Sequence, residues 1–414
     1  MRKKIAGFGI PLFFIFPVLG FCSVLFNYRN KSSATIYVLF TMLLGYSISF
    51  SDSSADSYRY ARAFINFDNT LNYNTILSLY LNGELRDLYR LLLFYFVSIF
   101  TNNPKVMYAF AGLVYGILSY LSLRVLIKER GERFDFYTFV LALVFFTYVS
   151  LSSLNGFRFN TGALLFFLST YFFIIQKKNV WGIGLLLTPL FHYGFLLAVP
   201  VIFSYKIVEL FLSKKNEVNK ILFIIFLITY LMSWFLKLNS INLGFLNESE
   251  VISDAVGQRL NYVNSSDVAS LVENRKENST FLSVQKFFDY GIKIYILIVI
   301  VFLRKLYKKT AMNDTFLKAL FSFVLFYYSF CFIATSFPSG SRFLNIGHLF
   351  FVILLIKFYS YNKKKSLKKI ILFALPVFSF SILFINFMLP LLILSPTFWY
   401  GNVFWIIIEG LNFS

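Results

Sequence analysis

The chain has 414 residues, of which 58% are hydrophobic and only 14% charged, with a mean hydropathy of +0.69. Soluble domains sit near a quarter charged, so the composition excludes a soluble enzyme. It predicts an all-α polytopic integral membrane protein, a single domain over 1–414 with about 11–13 transmembrane helices.

Taken in order, the N-terminal run MRKKIAGFGIPLFFIFPVLGF has a basic start but no small-x-small cleavage site, and reads as a retained span over about 5–26. Further spans are predicted at about 34–50, 106–127, 134–150 and 160–175. The apolar block 180–212 is too long for one crossing. Pro189, His192 and Gly194 interrupt it, which predicts a helical hairpin or a broken helix. Spans follow at about 220–237, 288–303, 314–335, 343–359 and 367–388. A last segment, 389–409, is broken by Pro390, Pro396 and Gly401 and is expected at the membrane interface. Cys22 and Cys331 both lie in apolar stretches and match no metal or disulfide spacing.

Charge sets the orientation. The turns NYRNKSS, KERGER, QKKN, 204–220, RKLYKK and 357–369 hold 21 Lys/Arg against 4 Asp/Glu. The opposite segments 51–105, 151–159, 238–287 and 336–342 hold 11 of each sign. By the positive-inside rule the first group is cytoplasmic. The formal net charge of +20 is therefore a topological signal and a contact with anionic membrane lipids, with no call for nucleic acid. Two sizeable loops, 51–105 and 238–287, then face outward. Residues 88–100 are too short to cross and are expected to be interfacial or re-entrant. This scheme leaves residues 2–4, all basic, on the outer side, against the rule.

Isolated charges collect on that outer side. Arg158 follows Asn155-Gly156 and Arg342 follows Ser339-Gly340-Ser341. Neither has a basic neighbour within ten residues. An arginine fork suits a phosphate or pyrophosphate; the structural alternative is snorkelling to lipid phosphate. His192, at the interruption of the long block, suits proton transfer or an anion contact, or a bond to a backbone carbonyl freed by the break. In SDSSADSYRYARAF a helix would align Asp52, Asp56 and Arg59, with Arg62 one turn on, either as a general base beside a phosphate site or as an ion-pair network. His348 reads as packing. No metal-binding, Walker or dinucleotide motif occurs, so no cofactor is expected.

With these residues placed, the chain resembles the EpsG-like branch of the Wzy-type polysaccharide polymerases. The resemblance rests on ADSYRYARAF, GELRDLYRLLLFYFVSIFTNNPKVMYAF, NGFR, FHYGFLLAVP and SGSRFLNIG, in that order. It departs from the pattern at Phe159, where many members carry glutamine. The resemblance implies a GT-C-like architecture in a bacterial inner membrane and a glycosyltransferase that joins undecaprenyl-pyrophosphate-linked oligosaccharide repeat units on the periplasmic face. A chain-length regulator would be its protein partner. Arg158 and Arg342 would hold the pyrophosphate, with Arg59, Arg62 and Arg259 as further candidates. Asp52, Asp56 or His192 would be the base. Rival readings are an O-antigen ligase of similar fold, a repeat-unit flippase or other transporter, and a membrane acyltransferase. The absence of internal repeats speaks against a transporter.

Overall fold

Prolines, glycines and short polar turns decide where this apolar chain reverses. The computed structural model describes residues 2–27, 31–50, 55–67, 73–81, 87–129, 135–212, 218–235, 280–310, 314–336, 340–362 and 364–411. Among these there is no strand, only one isolated antiparallel bridge between Ile48 and Leu394. Five helical stretches are long and apolar enough to cross a membrane: Pro104–Glu129, Phe136–Ile175, Thr315–Ala334, Arg342–Tyr361 and Lys365–Ile393. With the composition, they define an all-α membrane protein.

The first apolar run is not the single span its hydropathy predicts. Helix α1 (Arg2–Ile15) stops short of Pro17, and α2 (Pro17–Asn27) packs back against it. A side chain on Gly20 would lie 2.5 Å from the Phe13 Cα. In one continuous helix, residues seven apart are separated by about 10 Å. Pro17 lacks the N–H that would extend the α1 ladder, and Gly20 lets the two backbones touch. The hairpin returns the chain to the end where it starts. Residues 2–4 therefore share an end with Asn27, which corrects the topology expected for the N-terminus.

Helix α3 (Lys31–Tyr46) runs antiparallel to α7 (Pro104–Glu129). Gly45 abuts the Tyr108 carbonyl, Gly112 the Thr41 carbonyl and Gly116 the Thr41 hydroxyl. The GLVYG sequence is thus a small-xxx-small seam that lets two helices approach closely. Between them, α4 (Asp56–Ile65), α5 (Tyr73–Leu81) and α6 (Leu88–Ser98) stay at one end. The 11 residues of α6 make about 16 Å of helix.

Helix α8 (Phe136–Tyr148) opens on a capping box, Asp135 with Thr138. A 3-10 turn, Leu151–Gly156, reverses the chain into α9 (Phe157–Thr170) and a π turn, Tyr171–Ile175. The long block becomes a hairpin of α10 (Trp181–Phe191) and α11 (Phe195–Leu212), with His192 at its apex in extended backbone. There follow α12 (Val218–Phe235), α13 (Thr280–Thr310), α14 (Thr315–Ala334), α15 (Arg342–Tyr361) and α16 (Lys365–Leu383). Helix α15 meets both α8 and α9. Tyr148 faces His348 and Tyr137 faces Tyr359, while Phe159 faces Phe343 and Phe167 faces Phe350. Hence α8 and α9 are antiparallel, and the stretch Phe136–Ile175 holds two helices of opposite direction.

After a second π turn, Phe384–Met388, the C-terminal helices α17 (Leu389–Ile393), α18 (Thr397–Tyr400) and α19 (Val403–Leu411) fold over the end of α3. The Ser49 N–H donates to the Ile393 carbonyl (2.8 Å), the Ser395 N–H to Ser47 (2.8 Å) and the Tyr46 hydroxyl to Ile407 (2.9 Å).

The bundle has two chemically distinct ends. One carries α4–α6, the 3-10 turn, the α10–α11 apex and the starts of α9 and α15; we call it the arginine end. The other gathers the basic turns. There Lys357 donates to Glu129 (2.9 Å), which also accepts from the Tyr171 hydroxyl (2.5 Å), and Tyr359 donates to Asp135 (2.5 Å). These bonds clamp α7, α8, α9 and α15 together at depth.

Candidate functional site

The site grows from the two turns that start α9 and α15. Gly156 ends the 3-10 turn, so Arg158 lies in the first turn of α9 and reaches across to α4 and α6. Its Nε–H donates to the Tyr60 hydroxyl (2.8 Å), and its guanidinium lies over the Tyr60 ring at 4.6 Å. Its Nη1 donates to Asp87, whose side chain is fully buried. The other Asp87 oxygen accepts the Tyr193 N–H (3.2 Å). One carboxylate thereby ties Arg158 to the apex of the α10–α11 hairpin. Arg158 keeps a fifth of its side-chain surface open, and with two N–H groups committed its fork retains three more. Burial raises the Tyr60 phenol above its ordinary value, with the Arg158 charge acting against it. Tyr60 therefore keeps its proton across the neutral range.

Arg342, the first residue of α15, is exposed and sits 5.4 Å from the centre of the Phe159 ring. Among the described residues it makes no ion pair. The same ring also meets His192, edge-to-face at 5.2 Å. Phe159 is thus the wedge around which Arg342 and His192 gather, one residue from Arg158. Arg158 is tied through Asp87 to Tyr193, the neighbour of His192, so both arginines lie at the arginine end of the bundle.

His192 has a defined tautomer. Its Nδ1 accepts the Gly194 N–H at 3.0 Å, and a backbone N–H can only donate. The neutral ring must then carry its proton on Nε2. His192 accordingly presents a donor near Arg342, which suits an anion contact.

Asp56, at the start of α4, pairs with Arg59 at 2.5 Å. Its other oxygen lies 3.4 Å from where a side chain on Gly156 would begin, and the Asn160 amide nitrogen lies 3.5 Å from the same point. The neighbouring Ser57 N–H donates to Asn155 (3.0 Å), which anchors α4 to the 3-10 turn. Asp56 is therefore the described carboxylate on the open rim, whereas Asp87 is consumed by structure. Arg59 is mostly exposed, and Arg62 is exposed and lies 5.8 Å from the Tyr58 ring. Asp52 and Arg259 lie outside the described residues. His348 is buried in the core, 2.9 Å from the Tyr328 hydroxyl, away from this mouth.

Sequence reasoning missed Asp87 and Arg90, the latter being one of the charges acting on Tyr60, and read Tyr60 only as a belt or sugar-stacking aromatic. The available signal was DLYR itself: an acid and a base three apart on a short helix predicted at the rim. Among the described residues no group of His, Cys, Asp and Glu is arranged to hold a metal ion.

Fold and site together define an all-α membrane protein with a cationic mouth at one end. Compared with known proteins, the chain matches no family model, no curated protein and no solved structure.

Proposed function

We propose that this protein is a membrane glycosyltransferase, GT-C-like in architecture, that polymerises polyprenyl-pyrophosphate-linked oligosaccharide units at the periplasmic face of a bacterial inner membrane. The observation that carries the reading is the placement of Arg158, Arg342 and His192 at one end of the bundle, Arg342 and His192 against the Phe159 ring and Arg158 linked through Asp87 to the same hairpin apex. Arginine and histidine donors gather there, opposite the end that carries the Lys357–Glu129 pair. A pyrophosphate ester is the anion that suits such a mouth.

In the reaction the hydroxyl oxygen of an acceptor sugar attacks the anomeric carbon of the donor. The bond from that carbon to the pyrophosphate oxygen breaks, and polyprenyl pyrophosphate leaves with the bonding electron pair. Arg158 and Arg342 neutralise the charge that develops there, and the His192 Nε2–H adds a third contact. Asp56 takes the acceptor proton. Arg59 holds Asp56 in place.

The test is the glycan banding pattern of Arg342→Ala. Among the described residues Arg342 has no ion pair to lose, only the face of the Phe159 ring, so the variant should insert normally. It should couple units at least about a hundredfold more slowly, the typical cost of one lost transition-state donor. A normal ladder sinks the reading. A ligase would instead leave no unit on the acceptor core when the protein is deleted, whereas loss of a polymerase leaves one.

A further inference from the structure

A second site lies behind Phe159. A cavity of about 60 Å³ opens between α8, α9 and α15, lined by Tyr115, Ser153, Phe159, Asn160, Asn345 and Ile385 among others. No Lys, Arg, Asp, Glu or His lines it, so its chemistry is neutral hydrogen bonding. Asn160 donates through Nδ2 to the Ser153 and Gly156 carbonyls (2.6 and 3.1 Å). Those bonds use its donors and leave Oδ1 as an acceptor. The Tyr115 hydroxyl gives its proton to the Ser150 carbonyl (2.5 Å) and keeps a lone pair. Asn345 is exposed and stands one helical turn from Arg342. The π turn supplies the far wall: the Ile385 carbonyl is held by the Ser152 hydroxyl at 2.8 Å.

We propose that this cavity receives a hydroxyl-bearing edge of the acceptor sugar; the assignment rests on the transferase reading. Its volume has room for about four waters, which fits one or two hydroxyls with their carbons and excludes a whole pyranose ring. Phe159 separates it from the anion site. Asp56 and Asn160 both approach Gly156, 3.4 and 3.5 Å from where a side chain there would begin. An acceptor sugar held through Asn160 would therefore lie beside Asp56, with its reacting hydroxyl outside the cavity.

The test uses the full chain in lipid nanodiscs and the free oligosaccharide released from its lipid carrier by mild acid, which cleaves glycosyl pyrophosphates. Saturation-transfer NMR should detect binding to the wild type. Asn345→Ala, at an exposed position, should weaken it about fivefold, the loss of one neutral hydrogen bond. Ala163→Leu, which fills the cavity, should abolish it, and Arg342→Ala should retain it within about twofold. Equal binding by wild type, Asn345→Ala and Ala163→Leu, or no binding by the wild type, overturns the cavity assignment. Inorganic pyrophosphate titrated into the same samples keeps the two readings apart. Pyrophosphate binding that Arg342→Ala weakens supports the anion site even when the sugar arm fails; sugar binding without pyrophosphate binding sinks the transferase reading and leaves a sugar site.

Discussion

At the scale of single residues, direction of hydrogen bonding decides roles that residue type leaves open. His192 accepts from Gly194 N–H through Nδ1, so its useful group is a donor. His192→Gln places an amide N–H near the former Nε2–H and cannot act as a base. We expect His192→Gln to keep most of the coupling rate and His192→Ala to lose about tenfold or more, measured as single-turnover transfer in proteoliposomes. If both variants are equally dead, His192 is a base and the tautomer argument fails. Arg158 differs from Arg342 in kind. Removing it strands the buried Asp87 charge, a loss worth about 3–5 kcal/mol for a buried pair, so Arg158→Ala should show lowered thermal stability as well as lost coupling. Asp87→Asn combined with Arg158→Gln should recover stability without recovering transfer, read by a melting curve beside the coupling assay. The arginines were legible in the sequence because an isolated charge stands out in an apolar chain. Asp87 was not, because its importance lies in two partners, Arg158 and the Tyr193 N–H, that are 71 and 106 positions away.

At the scale of helices, hydropathy carries length and composition but not direction. It located α7, α14, α15 and α16 within a few residues, since each is a single apolar crossing with polar ends. It merged α1 and α2, because the proline that separates them is itself compatible with an apolar run and only the Phe13–Gly20 contact reveals the reversal. The α10–α11 block was legible as interrupted, and the fold resolves it as a hairpin turning at His192. The α3–α7 pair makes the same point through glycine. Gly112 and Gly116 look like ordinary small residues in an apolar helix, yet each is in contact with Thr41. Gly112→Leu would force the helices apart, and overpacking of this kind costs about 1–3 kcal/mol. We expect a lower melting temperature and loss of coupling together, because α7 also supports α4 and α6, which hold Tyr60 and Asp87. Gly291→Leu is the control: a side chain there meets open space, and its melting temperature should not move. If Gly112→Leu melts with the wild type, the close approach of α3 and α7 is wrong.

At the scale of the whole molecule, polarity is the organising variable: a clamped, basic end and an open, arginine-bearing end. The Glu129–Lys357 pair and its tyrosine partners fix four helices at the first, so the mouth at the second can be shaped by turns alone, namely Leu151–Gly156, the His192 apex and the start of α15. This arrangement makes the topology testable from the N-terminus. A single N-terminal span would put residue 4 beside the arginine mouth, whereas the α1–α2 hairpin puts it with the basic turns. In a Cys22→Ser, Cys331→Ser background, Lys4→Cys should be shielded from an impermeant thiol reagent in intact cells and react after permeabilisation, as Glu132→Cys should. Asn66→Cys, exposed at the end of α4, should react in intact cells. Labelling of Lys4→Cys together with Asn66→Cys would show that the first apolar run crosses once and that the α1–α2 hairpin is wrong.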